Sequence, residues 1–251
     1  MRKMVGKVER YLIDKIARNR AIHLSLIDPQ NITPEKACEL TNKLQDIGSS
    51  AIMVGGSTVV SQGELDEIIK AIKNEVRIPI ILFPNGIAGI SEYADAIFFS
   101  SLMNSINPYY ITGAQALGAP LVKRYNLEVL PMGYIIVGSN TGAAGFVGQA
   151  LPIPSDKPEI GSMYALAAEY LGMRFVYLEA GSGSKLPVSK EMISLVRNSV
   201  GIKLIVGGGI KTTQHAREIV SAGADILITG TLIEESSLKN TEKLIKSLES
   251  I

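Results

Sequence analysis

Short apolar runs alternate along the chain with longer segments whose apolar residues recur every three or four positions. The short runs predict strands near Ala21–Ile27, Ala51–Val54, Ile78–Phe83, Ala96–Ser100, Glu128–Val137, Phe175–Glu179, Lys203–Val206 and Ile226–Thr229. Several, such as Ile78–Phe83, are apolar throughout, the pattern of a strand buried on both faces. The intervening segments predict helices. Thr33-Pro34 supplies a capping side chain before a proline, a stripe follows at Ala37, Leu40, Thr41, Leu44 and Ile47, and Gly48 closes it. Leu65, Ile68, Ile69 and Ile72 give the next helix a buried face, and further stripes lie at Tyr164–Leu171, Met192–Val196 and Ala216–Val220. A helix near Val8–Ala17 precedes the first strand and is placed to cover one end of the fold.

Regular strand–helix alternation argues for a parallel sheet. About eight such units in 251 residues predict a single-domain (β/α)8 TIM barrel spanning residues 1–251. A doubly wound open sheet fits less well, because no G-x-G-x-x-G loop follows the first strand. The least regular stretch is Gly138–Pro158. At roughly 20 residues it exceeds an ordinary connection and reads as a mobile lid.

Composition narrows the classes. Apolar residues make up 46% of the chain, enough for a barrel core and its surrounding helices. Lys+Arg 25 against Asp+Glu 24 leaves no broad positive field for nucleic acid. The one cysteine, Cys38, allows no internal disulfide and fits a cytoplasmic setting; its helix position is expected to be buried. No apolar run approaches the roughly 20 residues that span a bilayer, while contact with a membrane surface stays open.

A barrel carries its active site at the C-terminal ends of its strands. Polar residues and glycines collect there: Asp28, Gly55-Gly56-Ser57, Pro84-Asn85, Ser101 with Asn104, Tyr177-Leu178-Glu179-Ala180-Gly181-Ser182-Gly183, Gly207-Gly208-Gly209 and Gly230-Thr231. Glycine brings bare backbone N–H groups close to an anion, so Gly208, Gly209, Gly230 and Thr231, with Gly181-Ser182-Gly183, predict a phosphate cup. Asp28 reads either as a cap for the turn at Pro29 or as a Mg2+ ligand, with Ser57 as a second oxygen. Tyr177 and Glu179 are two apart in one strand and share a face, so an open-ended Glu179 is placed to accept a hydrogen bond from a substrate hydroxyl. His23, inside a strand, and His215, in a helix's first turn, are weak catalytic candidates. Lys239, Lys243 and Lys246 read as a solvated helix face.

Taken in order, Ile27-Asp28-Pro29, Val54–Ser57, Ser101–Tyr110, Leu130–Ile136, Tyr177–Gly183, Val206–Ile210 and Thr229–Thr231 resemble the geranylgeranylglyceryl phosphate synthase family over nearly the whole chain. The resemblance implies transfer of a geranylgeranyl group from its diphosphate to the C3 hydroxyl of sn-glycerol 1-phosphate. The product is the first ether of archaeal membrane lipids, and the reaction is Mg2+-dependent. It implies that Asp28 and Ser57 hold Mg2+ on the prenyl diphosphate. Tyr177 through Gly183, with Gly208, Gly209, Gly230 and Thr231, would bind glycerol 1-phosphate, Tyr177 and Glu179 orienting its hydroxyls. Glu179 or the departing diphosphate would take the proton. Aromatic residues Phe98, Phe99, Tyr109, Tyr110 and Tyr134, with Gly142–Phe146, are candidates for the prenyl groove, Tyr110 limiting chain length. The resemblance also implies a homo-oligomer. Two other readings fit the bare residues: a phosphate-binding barrel isomerase or lyase, and a noncatalytic prenyl-phosphate scaffold.

Overall fold

A computed structural model describes residues 5–56, 61–138, 142–230 and 238–248. Eight parallel strands close into a barrel in sequence order: β1 (Ile22–Ile27), β2 (Ala51–Val54), β3 (Ile80–Leu82), β4 (Ala96–Leu102), β5 (Glu128–Ile136), β6 (Phe175–Glu179), β7 (Lys203–Gly207) and β8 (Ile226–Thr229). The β1–β8 pairing, with Ser25 opposite Thr229, shuts the ring. Side chains alternate across it. Leu24, Met53, Phe98, Met132, Phe175, Ile205 and Ile228 fill the interior. Ile27, Ile52, Val54 and Leu82, or Val176, Leu178 and Val206, turn outward under the helices. Because both faces are buried, the strands need no polar side, which explains their continuous apolar runs.

The helices are α1 (Lys7–Asn19), α2 (Pro34–Asp46), α3 (Gln62–Glu75), α4 (Ala114–Arg124), α5 (Gly142–Val147), α6 (Pro158–Tyr170), α7 (Lys190–Ser199), α8 (Thr213–Ser221) and α9 (Leu238–Leu248). The Thr33 hydroxyl caps α2 as its sequence predicts, and Ser61 with Glu64 forms a reciprocal capping box on α3. Helix α1 stoppers the N-terminal end of the barrel, packing Val8, Leu12 and Ile16 onto the interior cluster. Its free N–H groups at Val8 and Glu9 are met from β5 by the Glu128 carboxylate at 2.8 Å each. Buried Glu9 in turn pairs with Arg174, Nε to Oε1 2.6 Å.

One helix escaped sequence reading and three expectations need correction. Helix α4 was not legible, because Gly113, Gly118 and Pro120 interrupt its apolar pattern; it opens with a π turn at Tyr109–Gly113. In α6 the buried face is Gly161, Ala165 and Ala168, while Tyr170 and Leu171 face solvent, since a 3.6-residue period turns them away. Cys38 is only half-buried. The stretch after β5 is no plain loop: it contains α5, bridges Ser105 to Ala150 and Val137 to Ile153, and is stapled by buried Asn104. The Asn104 amide donates to the carbonyls of Ile136 and Leu151 at 2.8 Å and accepts the Ile136 N–H at 3.1 Å. Residues 139–141 of that stretch lie outside the described set.

Candidate active site

A cavity of about 500 Å³ opens at the C-terminal end of the barrel. Asp28 from β1, Glu179 from β6, Gly208 from β7 and Gly230 from β8 all line it. Asp28 and Glu179 stand across the mouth from one another, with β7 and β8 between their strands. Phe99, Tyr110 and Tyr134 line the same cavity, as do Ser182 and Tyr177. The candidates at Ser57 and Thr231 fall outside the described residues.

Tyr177 and Glu179 point together into the barrel, as their two-residue spacing requires. The Tyr177 hydroxyl donates to Glu179 Oε2 at 2.5 Å, and the Gly181 N–H donates to Oε1 at 2.7 Å. Glu179 is 7% exposed, and no cation forms an ion pair with it among the described residues. Burial raises its pKa, opposed by these two hydrogen bonds. Burial also lifts the Tyr177 and Tyr134 phenols well above their ordinary value, with the nearby Glu179 charge adding to the effect.

The glycines around this pair answer to close approaches. A Cβ on Gly207 would fall 2.2 Å from the Tyr177 hydroxyl, and one on Gly208 would fall 2.4 Å from Glu179 Oε1. Gly208 also has φ +80°, which a side chain would strain. Gly209 (φ +68°) instead passes 2.4 Å from the Leu186 carbonyl, measured from where its Cβ would be, and so packs the β7 loop on the β6 loop. Gly183 turns the chain at φ +74°. The side chains of Leu178 and Ala180 lie in the outer cluster, away from the cavity. The Gly181 amide is committed to Glu179. Within Tyr177–Gly183, the groups that line the cavity are therefore Tyr177, Glu179 and Ser182.

Asp28 has both of its proposed roles open to it. Its Oδ1 accepts the Gln30 N–H at 3.0 Å, capping the short turn Pro29–Asn31. A Cβ on Gly56 would lie 2.3 Å from Oδ2, so glycine there leaves the carboxylate unobstructed on the cavity side. Among the described residues no cluster of three or more His, Cys, Asp or Glu could hold a metal. One hard carboxylate oxygen fits Mg2+, which keeps waters and substrate phosphate oxygens as its remaining ligands. It does not fit zinc.

Sequence reasoning passed over Phe83 and Gln115 as site residues. Phe83 was read as a strand end, yet its ring meets Tyr134 and Tyr177 inside the cavity. Gln115 sits on the unrecognised α4, its amide donating to the Ser100 and Tyr110 carbonyls at 2.6 and 3.1 Å. His23 is fully buried on the outer side of β1, Nε2 2.8 Å from the Thr229 hydroxyl oxygen, and burial lowers its pKa to about 3. It is a neutral structural group.

The PcrB family model matches residues 14–250. The chain belongs to the PcrB family. Relatives named geranylgeranylglyceryl phosphate synthase include that of Pyrococcus furiosus, 52% identical over 247 residues, covering 98% of this chain and 97% of that one. That of Methanothermobacter thermautotrophicus is 50% identical over 242 residues, covering 96% of this chain and 97% of that one. A crystal structure of (S)-3-O-geranylgeranylglyceryl phosphate synthase from Thermoplasma acidophilum, in complex with its substrate sn-glycerol-1-phosphate, superposes with a TM-score of 0.93. It is 37% identical and covers 99% of this chain and all of that one. Thiamine phosphate pyrophosphorylase from Pyrococcus furiosus shares the fold alone, at TM-score 0.60 and 19% identity. The PcrB assignment thus rests on nearly the full length.

Proposed function

We propose that this PcrB-family chain is a prenyltransferase that joins the C3 hydroxyl of sn-glycerol 1-phosphate to geranylgeranyl diphosphate. The observation that carries the reading is the single cavity that unites a carboxylate, a glycine-lined rim and an aromatic wall. Relatives of the same name align over nearly the whole chain and support it. Gly208 and Gly230 leave the rim open to an anionic headgroup, and Glu179 accepts a hydrogen bond from a glycerol hydroxyl. Phe99, Tyr110 and Tyr134 receive the apolar chain. Asp28 would hold Mg2+ with the diphosphate; bound there, the ion would supply electrostatic stabilisation of the leaving group's charge. The chain's own residues hold the nucleophilic oxygen near the allylic carbon and exclude water from it. Ionised Glu179 takes the hydroxyl proton.

The isomerase and lyase reading needs an acid and a base facing one reacting carbon, and Asp28 and Glu179 are the carboxylates among the cavity's described residues. No described helix is long and apolar enough to cross a membrane. Phe146, Leu151 and Leu117 are exposed apolar residues that would serve self-association. Incubation of the full chain with both substrates and Mg2+, with mass spectrometry of the products, tests the function. The ether product supports it, and intact substrates overturn it.

A further inference from the structure

Three aromatic rings meet in the mouth of the barrel. Phe83 and Tyr134 stand edge to face, centroids 5.3 Å apart and planes at 89°. Tyr134 and Tyr177 are 5.1 Å apart at 51°, and Phe83 and Tyr177 are 5.9 Å apart at 41°. All three line the cavity that also holds Asp28 and Glu179.

The cluster is also fixed in place. The Phe83 N–H donates to the Val54 carbonyl at 2.8 Å. Gly55 lets the Phe83 carbonyl come within 1.9 Å of where a Cβ would be. The Tyr177 hydroxyl is held by Glu179, and Gly207 leaves room for it. Donation to a carboxylate pushes electron density back into the phenol ring. A purely greasy groove would be served as well by leucine. What aromatic faces add is a negative quadrupole, attractive to a positive charge.

Resting on the prenyl-transfer reading, we propose that Phe83, with Tyr134 and Tyr177, stabilises positive charge developing on the allylic carbon. As the C1–O bond of the prenyl diphosphate breaks, its electron pair leaves with the diphosphate oxygen. C1 and the conjugated C3 share the resulting positive charge. A lone pair of the glycerol C3 oxygen then forms the new C–O bond, and the hydroxyl proton passes to Glu179. Phe83 takes no electrons or protons; its ring face attracts the charge while it lasts. The Mg2+ that Asp28 would hold would stabilise the anionic end of the breaking bond, and Phe83 stabilises the cationic end. Phe83 is a catalytic residue that carries no titratable group.

The test replaces Phe83 in the full-length chain with 4-fluoro-, 3,5-difluoro- and pentafluorophenylalanine. These keep the ring's shape while draining its face of negative potential. The single-turnover rate of ether formation should fall step by step, by roughly threefold to thirtyfold across the series, with KM for glycerol 1-phosphate and the melting temperature unchanged. Phe83→Leu should be at least as slow as the pentafluoro form. A binding arm uses an ammonium analogue of the allylic cation with diphosphate. Its affinity should weaken along the same series, while a thiolodiphosphate analogue, uncharged at the allylic carbon, binds equally throughout. A flat rate series in an enzyme that makes the ether overturns the charge-stabilising role and leaves the prenyl-transfer reading standing. If the unmodified chain makes no ether, both fall.

Discussion

The Tyr177 hydroxyl donates to Glu179 Oε2 from two residues away on the same strand, at 2.5 Å, inside the barrel. This contact and the Gly181 N–H hold a carboxylate that is otherwise enclosed by the protein. It ties the acid–base behaviour of Glu179 to a phenol with no proton of its own to lose near neutrality.

Tyr177→Phe removes one of the two hydrogen bonds that hold the Glu179 pKa down, so the pKa rises further. With the ionised form as the proposed acceptor of the substrate proton, activity should climb with pH through this pKa. The acid limb of the kcat profile should move to higher pH in the variant, with the alkaline side little changed. An acid limb that stays in place would separate Glu179 from proton transfer.

Glu179→Gln should lower kcat by on the order of 100-fold or more while raising the melting temperature at pH 8. The sign follows from the raised pKa. The favourable contribution of Glu179 is fully present below its unfolded pKa and is lost as pH rises through the folded one. The variant escapes that loss. Its advantage in melting temperature should shrink as pH falls toward 4, which calorimetry at several pH values would show.

Gly208→Ala sets a methyl group 2.4 Å from Glu179 Oε1 and forces a side chain onto φ +80°. Destabilisation of about 1–3 kcal/mol is expected, together with a raised KM for glycerol 1-phosphate. Denaturant unfolding and steady-state kinetics measure the two separately. Wild-type KM in a folded variant would detach Gly208 from the headgroup site.

Asp28→Asn keeps an oxygen for the Gln30 N–H, so the turn should survive. Loss of the charge facing Gly56 should cost roughly 100-fold to 1000-fold in kcat and weaken Mg2+ activation. Titration of activity against Mg2+ reads this directly. Full activity at ordinary Mg2+ would remove the metal assignment while leaving the glycine rim intact.

Tyr110→Ala opens the cavity wall where Tyr110 meets Tyr109 edge to face, centroids 5.1 Å apart. Competition among C20, C25 and C35 diphosphates should shift toward the longer donors. Unchanged selectivity would place the floor of the groove elsewhere.

Much of this arrangement was legible in the chain. Strand periodicity located all eight strands to within a few residues, because both-face burial leaves unbroken apolar runs. The pairing of Tyr177 with Glu179 followed from strand geometry alone. Less visible was what depends on contacts between distant segments. Gly181 looked like a phosphate donor, and only the folded loop shows its amide spent on Glu179. Phe83 carries no local signal, since a phenylalanine ending an apolar strand looks like core until Tyr134 and Tyr177 are brought beside it. Helix α4 was hidden by glycine and proline, whose low helix preference is offset by packing such as Gly118 against Ile90.

Helix α1 seals the lower end of the cylinder with Leu12 and Ile16. Traffic is left to the upper rim. Reactants and product of the proposed transfer would then come and go at the end where the cavity opens, so leaving lipid and arriving headgroup would compete for the same space.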